Sequence, residues 1–111
     1  MSAPAVDVRA QDDALVARFT GDVDVATAPA LQRAVLGATA GARLVVLDLS
    51  DVAWLDSTGL RLLDDVVRHH EAREAMVRIL APADVPARYT LDLSAWRPDL
   101  VVGRMSDALA A

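Results

Sequence analysis

The chain has 111 residues, of which 54% are hydrophobic and only 4% aromatic, and its formal net charge is −5. This length suits a single domain with one core across residues 1–111, and the hydrophobic fraction excludes a disordered chain. An acidic surface repels phosphate backbones, so nucleic acid is not an expected partner. No Cys is present, which excludes disulfides, thiolate catalysis and cysteine metal sites.

The first third of the chain predicts a hairpin followed by a helix. Apolar side chains alternate with polar or small ones over residues 5–10 and 14–20, which is the repeat of half-buried strands. Two adjacent Asp residues between these segments supply the turn. Apolar residues then recur at helical spacing, with Thr27 placed to cap a first helix over residues 27–39.

The middle of the chain predicts a strand, a helix and a second strand. The continuous apolar run 44–49 is typical of a strand buried on both faces of a parallel sheet. Residues 50–55 are expected to form a connection. Apolar residues at helical spacing then predict a helix over residues 57–73, and a short apolar run predicts a further strand over 76–80.

Weaker signals complete the chain. They predict a short helix within residues 83–96, a strand at 100–102 and a final helical turn or two at 106–110. Such alternation of strands and helices predicts an α/β fold whose mixed sheet is parallel in its central part.

Several kinds of catalytic chemistry lack the residues they need. The chain contains no Lys and no glycine-rich nucleotide-binding motif, which excludes Schiff-base catalysis and the usual phosphate loops. Its two histidines, His69 and His70, are neighbours on a predicted helix and point about 100° apart, so they cannot share a metal. We therefore expect no cofactor and no metal.

Ser57 is a poor candidate for a catalytic nucleophile. The glycine that precedes the serine in a nucleophile elbow is replaced by Leu55. Either histidine would lie roughly 18 Å away along the same helix. The chain is therefore not expected to be an enzyme.

No targeting or membrane signal is evident in the sequence. Residues 1–10 lack the basic and apolar stretches of a signal peptide, and no apolar run is long enough to span a bilayer. We expect a cytoplasmic protein without membrane insertion.

The polar segment between the buried strand and the long helix carries the most functional information. It reads Asp-Ser-Thr-Gly from Asp56 to Gly59 and opens the predicted helix. Ser57 stands where its hydroxyl would cap free backbone N–H groups, and where the helix dipole would tolerate a phosphate. From helix geometry alone Ser57 is only an N-cap, and Asp56 and Gly59 only shape the turn. A phosphorylated switch position is the alternative.

Three segments occur in a characteristic order and spacing: Gly21–Asp24, Leu44–Val52, and Asp56–Leu60 with Leu63 following. Together they resemble the STAS domain and, more narrowly, the bacterial anti-sigma factor antagonists. The similarity extends from residue 5 to about residue 80, and the Asp-Ser-[Ser/Thr]-Gly signature is its most specific part. It implies a STAS-like mixed sheet of four to five strands, with about four helices packed mostly on one face.

The resemblance also implies a mechanism. The serine that matches Ser57 is phosphorylated by an anti-sigma factor that is also a serine kinase. Unphosphorylated antagonist binds that kinase and releases the sigma factor. Phosphorylated antagonist dissociates from the kinase, and a serine phosphatase restores the unphosphorylated form. Thr58 would be a minor second phosphorylation site, and Asp22 is implied to lie beside Ser57. The implied partner-binding residues are Asp22, Asp24, Asp56, Ser57, Thr58 and Gly59.

Other functions of the same fold are alternatives. One is a constitutive STAS subunit of a stress-signalling or transporter-associated assembly, and another is a STAS domain that binds a small ligand. Ser at position 57 favours the phosphorylated switch. Residues 82–98 match the family less cleanly, and packing is the favoured interpretation of both Trp54 and Trp96.

Overall fold

The computed structural model describes residues 5–110, over which strands and helices alternate as predicted. The predicted order of element types is confirmed from the first strand to the last helix. The elements are β1 (Ala5–Gln11), β2 (Ala14–Val23), α1 (Ala28–Ala38), β3 (Leu44–Leu55), α2 (Ser57–Glu71), β4 (Met76–Leu80), α3 (Pro86–Ser94), β5 (Val101–Val102) and α4 (Met105–Leu109).

The five strands form one mixed sheet in the order β1-β2-β3-β4-β5. β1 and β2 pair antiparallel, as the predicted hairpin requires, and every other pair is parallel. The carboxyl ends of β2, β3 and β4 therefore meet at one edge of the sheet, which we call the carboxyl edge. α1 begins just after β2, and α2 just after β3, so both helices start at this edge.

Three helices cover one face of the sheet, and the short α4 lies on the other. Apolar residues at helical spacing on α1, α2 and α3 pack onto alternate residues of the strands in one large cluster. A smaller cluster on the opposite face joins Ala108 of α4 to residues of β2, β3 and β4. The predicted fold class, with helices mostly on one face, is confirmed. No helix in the described part of the chain is long and apolar enough to cross a membrane.

β3 is longer than predicted, because residues 50–55 continue the strand instead of forming a connection. They stay paired with β2 through two register irregularities, the second of them between Gly21 and Asp22. Gly21 has φ of +86°, a conformation that glycine adopts without strain. The bulged pairing keeps β2 alongside β3 as far as Leu55, although the polar residues of this stretch do not follow a strand pattern.

A fully buried histidine links the ends of α1 and α2. The hydroxyl of Thr39 donates to the carbonyl of Val35 at 2.7 Å, so its oxygen accepts from Nε2 of His70 at 2.9 Å. The other ring nitrogen, Nδ1, is buried without a hydrogen-bond partner in the described structure. The ring is therefore neutral, with its proton on Nε2.

Burial of this ring makes stability depend on pH. Desolvation, assisted by the charges of His69 and Arg73, lowers the pKa of His70 below its ordinary value of 6.5. Below pH 6.5 the unfolded chain binds a proton at His70 more readily than the folded chain does. We expect the free energy of unfolding to decrease as the pH drops below 6.5. This group contributes at most about 1.4 kcal/mol per pH unit to the decrease.

Urea denaturation at several pH values would measure this slope. His70→Leu should remove the contribution, whereas His69→Leu should retain it, because His69 is exposed. Equal slopes for wild-type and His70→Leu protein would contradict the assignment.

Candidate functional site

The Asp-Ser-Thr-Gly segment forms the start of α2 at the carboxyl edge. Asp56 is the N-cap: its Oδ1 accepts from the backbone N–H groups of Thr58 at 3.0 Å and Gly59 at 3.1 Å. The interpretation of Ser57 as the cap is wrong by one residue. Asp56 has the extended backbone of a cap, with φ −112° and ψ −169°, so Ser57 is already the first residue of the helix.

Ser57 is therefore free of a capping role. Its side chain is exposed and makes no hydrogen bond to any other residue among 5–110. The neighbouring Thr58 is partly buried. An exposed hydroxyl on the first turn of a well-capped helix is accessible to another protein and is held in a fixed position.

Gly59 fixes the position of that first turn against the sheet. The residue is buried, and a Cβ atom placed on it would lie 2.7 Å from the carbonyl oxygen of Val23 and would overlap Cδ1 of Leu55. Only glycine lets the helix backbone approach the end of β2 this closely. Gly59 thus lies beneath the site and sets where Ser57 and Thr58 stand.

The end of β2 supplies the acidic residues of the site. Asp22 is exposed and lies opposite Trp54 in the register of β2 and β3, one pair before Leu55. Strand pairing thus brings Asp22 to the same edge as Ser57, but the two side chains make no hydrogen bond to each other in the described structure.

Asp24 organises the turn into α1. Its Oδ1 accepts from the N–H groups of Ala26 at 3.0 Å and Thr27 at 3.2 Å. The Thr27 hydroxyl accepts from the N–H of Asp24 at 3.0 Å and donates to the carbonyl of Asp22 at 2.9 Å. Thr27 stands at the N-cap position, but its side chain closes this turn instead of capping the helix.

Two large apolar side chains at the carboxyl edge are exposed to solvent. Val25, in the turn before α1, is 75% exposed, and Trp54, near the end of β3, is 60% exposed. The interpretation of Trp54 as a packing residue is wrong, because Val52 and Leu55 take the inward positions on this part of β3. Trp96, in contrast, packs against the main core, as predicted.

Trp54 is the functional candidate that sequence reasoning missed. A signal was available, since the chain has only 4% aromatic residues and one of its two Trp residues stands two positions before the Asp-Ser-Thr-Gly segment. Exposed aromatic residues are frequent at the centre of protein interfaces. The carboxyl edge therefore combines an exposed hydroxyl, several carboxylates and exposed apolar surface, which suits contact with another protein.

Several solved structures are similar to this chain, although no curated protein sequence matches it. An anti-sigma factor antagonist from Mycobacterium paratuberculosis superposes with a TM-score of 0.84, at 26% identity over 97% of this chain and 92% of that one. The Bacillus cell fate determinant SpoIIAA in its phosphorylated form superposes with a TM-score of 0.69, at 19% identity over 96% of this chain and 97% of that one.

A transporter shows the same fold as part of a larger protein. The murine anion transporter Slc26a9 matches with a TM-score of 0.72, at 17% identity over 92% of this chain and 18% of that one. At this identity the likeness concerns the fold alone, as it does for SpoIIAA. The sequence profile of the STAS domain matches residues 5–97, which confirms the resemblance seen in the sequence. Since that match covers every element from β1 to α3, the chain belongs to the STAS domain family.

Proposed function

We propose that this chain is an anti-sigma factor antagonist whose binding to an anti-sigma factor is controlled by phosphorylation of Ser57. The observation that carries the proposal is the exposed Ser57 hydroxyl in the first turn of α2, which the Asp56 cap holds at the carboxyl edge, where the apolar side chains of Val25 and Trp54 are also exposed. In this proposal the chain acts in the cytoplasm as a binding partner and a kinase substrate, and catalyses no reaction itself.

The chain binds its partner when Ser57 at the carboxyl edge is unphosphorylated. Its partner is an anti-sigma factor with serine kinase activity, which contacts Asp22, Asp24, Asp56, Ser57 and Thr58. Gly59 keeps these residues in place from below. A serine phosphatase removes the phosphate and restores binding.

Phosphorylation changes this edge through charge and not through refolding. A phosphate adds about −1.5 to −2 charge at pH 7, next to the Asp56 carboxylate and on a chain with a formal net charge of −5. Placing that charge against a partner costs desolvation free energy unless the partner offers matching cations. A penalty of about 1.4 kcal/mol already weakens binding tenfold.

Phosphorylation-site mapping tests the proposal directly. Tagged protein would be incubated with ATP in a lysate of its native host and analysed by mass spectrometry, beside Ser57→Ala protein. We expect phosphate on Ser57, with none on the Ala variant apart from a minor amount on Thr58. A stable co-purifying complex with no phosphate on Ser57 would contradict the proposal, and would favour a constitutive STAS subunit of a larger assembly.

The kinase that co-purifies then serves to measure binding. Ser57→Asp should weaken its affinity at least tenfold, because a permanent negative charge replaces the hydroxyl. Ser57→Ala should bind as tightly as wild type, and ATP should no longer release it. Both variants should keep wild-type stability, because the Ser57 side chain bonds to no other described residue.

A further inference from the structure

One cation stands a single helical turn beyond Ser57. Arg61 follows it at the i+4 position of α2, and both residues are exposed. Side chains four residues apart on a helix lie about 5–6 Å apart at Cβ. Each Cα–Cβ bond tilts toward the helix N-terminus, so the long Arg61 side chain is able to reach back to Ser57.

Arg61 forms no ion pair with any residue among 5–110, although Asp65 follows it at the i+4 position one turn further on. The same spacing does form a pair elsewhere on the helix, where Arg68 and Asp64 are 3.0 Å apart. Arg61 instead lines a groove of about 430 Å³ between α1 and α2, together with Arg33 and Asp65. Its guanidinium is therefore available to a new anion.

A phosphate on Ser57 would need such a cation. The other charged side chains at this edge, on the end of β2 and at the helix cap, are the carboxylates of Asp22, Asp24 and Asp56. The backbone N–H groups of Thr58 and Gly59, which face an anion at a helix start, already donate to Asp56. Among charged side chains, the arginines of the groove are the remaining donors, and Arg61 is the one on the same helix.

We propose that Arg61 is the intramolecular counter-ion of phosphorylated Ser57. This inference rests on the proposed function, since it assigns what happens at the same site after the phosphate is added. A phosphate with nearly two negative charges competes better for the guanidinium than the single carboxylate of Asp65. Phosphorylation therefore moves Arg61 out of the groove and onto the first turn of α2.

The consequence concerns how the partner is released. A phosphate that is already paired with Arg61 is less available to an arginine of the partner surface. The groove beside it loses one of its two positive side chains at the same time. Both changes act against rebinding without any movement of the sheet or the helices.

The test uses full-length protein with phosphoserine installed at position 57 by genetic encoding, so it does not depend on any kinase. The pKa of the phosphate, ordinarily about 6, is read from a pH titration of its ³¹P resonance. In wild-type protein we expect a value lower by roughly 0.4 pH unit than in Arg61→Gln protein, the size of an exposed i,i+4 pair. Arg61→Lys should restore part of the difference.

Arg68→Gln is the matched control, because it removes the same charge from the same helix three turns away from Ser57 and should titrate like wild type. An Arg61→Gln protein that also titrates like wild type would overturn the proposal. Because the phosphate is installed genetically, a negative result here would not contradict phosphorylation of Ser57 by a kinase. Absence of phosphate in the lysate experiment would, in turn, not contradict the pairing of Arg61 with an installed phosphate.

Discussion

Replacing Gly59 by Val is expected to lower the free energy of unfolding by roughly 3 kcal/mol. The new side chain would start 2.7 Å from the carbonyl oxygen of Val23, and its Cβ would overlap the Leu55 side chain. A backbone carbonyl cannot rotate away as a side chain can, so α2 must shift from the end of β2. Urea denaturation followed by circular dichroism would measure the change.

Gly37 provides the matched control for this substitution. It also lies in a helix, α1, but a Cβ placed on it meets nothing within 4 Å. Gly37→Ala should therefore stabilise the protein by about 0.5 kcal/mol, through the smaller entropy of the unfolded chain. A Gly59→Val protein as stable as wild type would show that α2 does not depend on the close approach to β2.

The second large effect concerns Trp54 in the proposed complex. Trp54→Ala should weaken binding to the co-purified kinase by roughly 30-fold, because a large aromatic side chain at the centre of an interface often contributes about 2 kcal/mol. The stability of the free protein should change little, since the side chain is 60% exposed. Calorimetric titration of the two proteins would give the affinity.

Met76 offers a comparison at the opposite edge of the sheet. It begins β4, where it pairs with Leu44 at the start of β3, and it is 43% exposed. Met76→Ala should leave the affinity unchanged. If Trp54→Ala also bound like wild type, the partner would not contact the apolar part of the carboxyl edge.

The elements that the sequence predicted well are those whose pattern is local. Alternation along β2 and the apolar run that opens β3 report burial directly, because each position depends on the face of the sheet to which it points. The polar continuation of β3 was missed. Residues 50–55 are held in the strand by pairing with β2 across the register shift between Gly21 and Asp22, which is a contact between distant segments.

The N-cap of α2 was predicted to within one residue for a similar reason. Asp and Ser are equally good caps, so the order Asp56-Ser57 does not reveal which of them begins the helix. The extended backbone of Asp56 shows that this residue is the N-cap, and Ser57 is left exposed in the first turn of the helix. Likewise, nothing local shows that Gly59 touches β2 or that Trp54 points to solvent, because both depend on how two strands and a helix meet.

The strand order of the sheet also bears on how the protein folds. Each strand lies beside the one before it in the chain, so each pairing closes only the loop or helix between two successive strands. Short closures have a low entropic cost and favour rapid folding. During synthesis the hairpin can form first, β3 can add to it, and α2 can then dock against the end of β2. In this order the edge that bears Ser57 is assembled before the C-terminal third of the chain is free to fold.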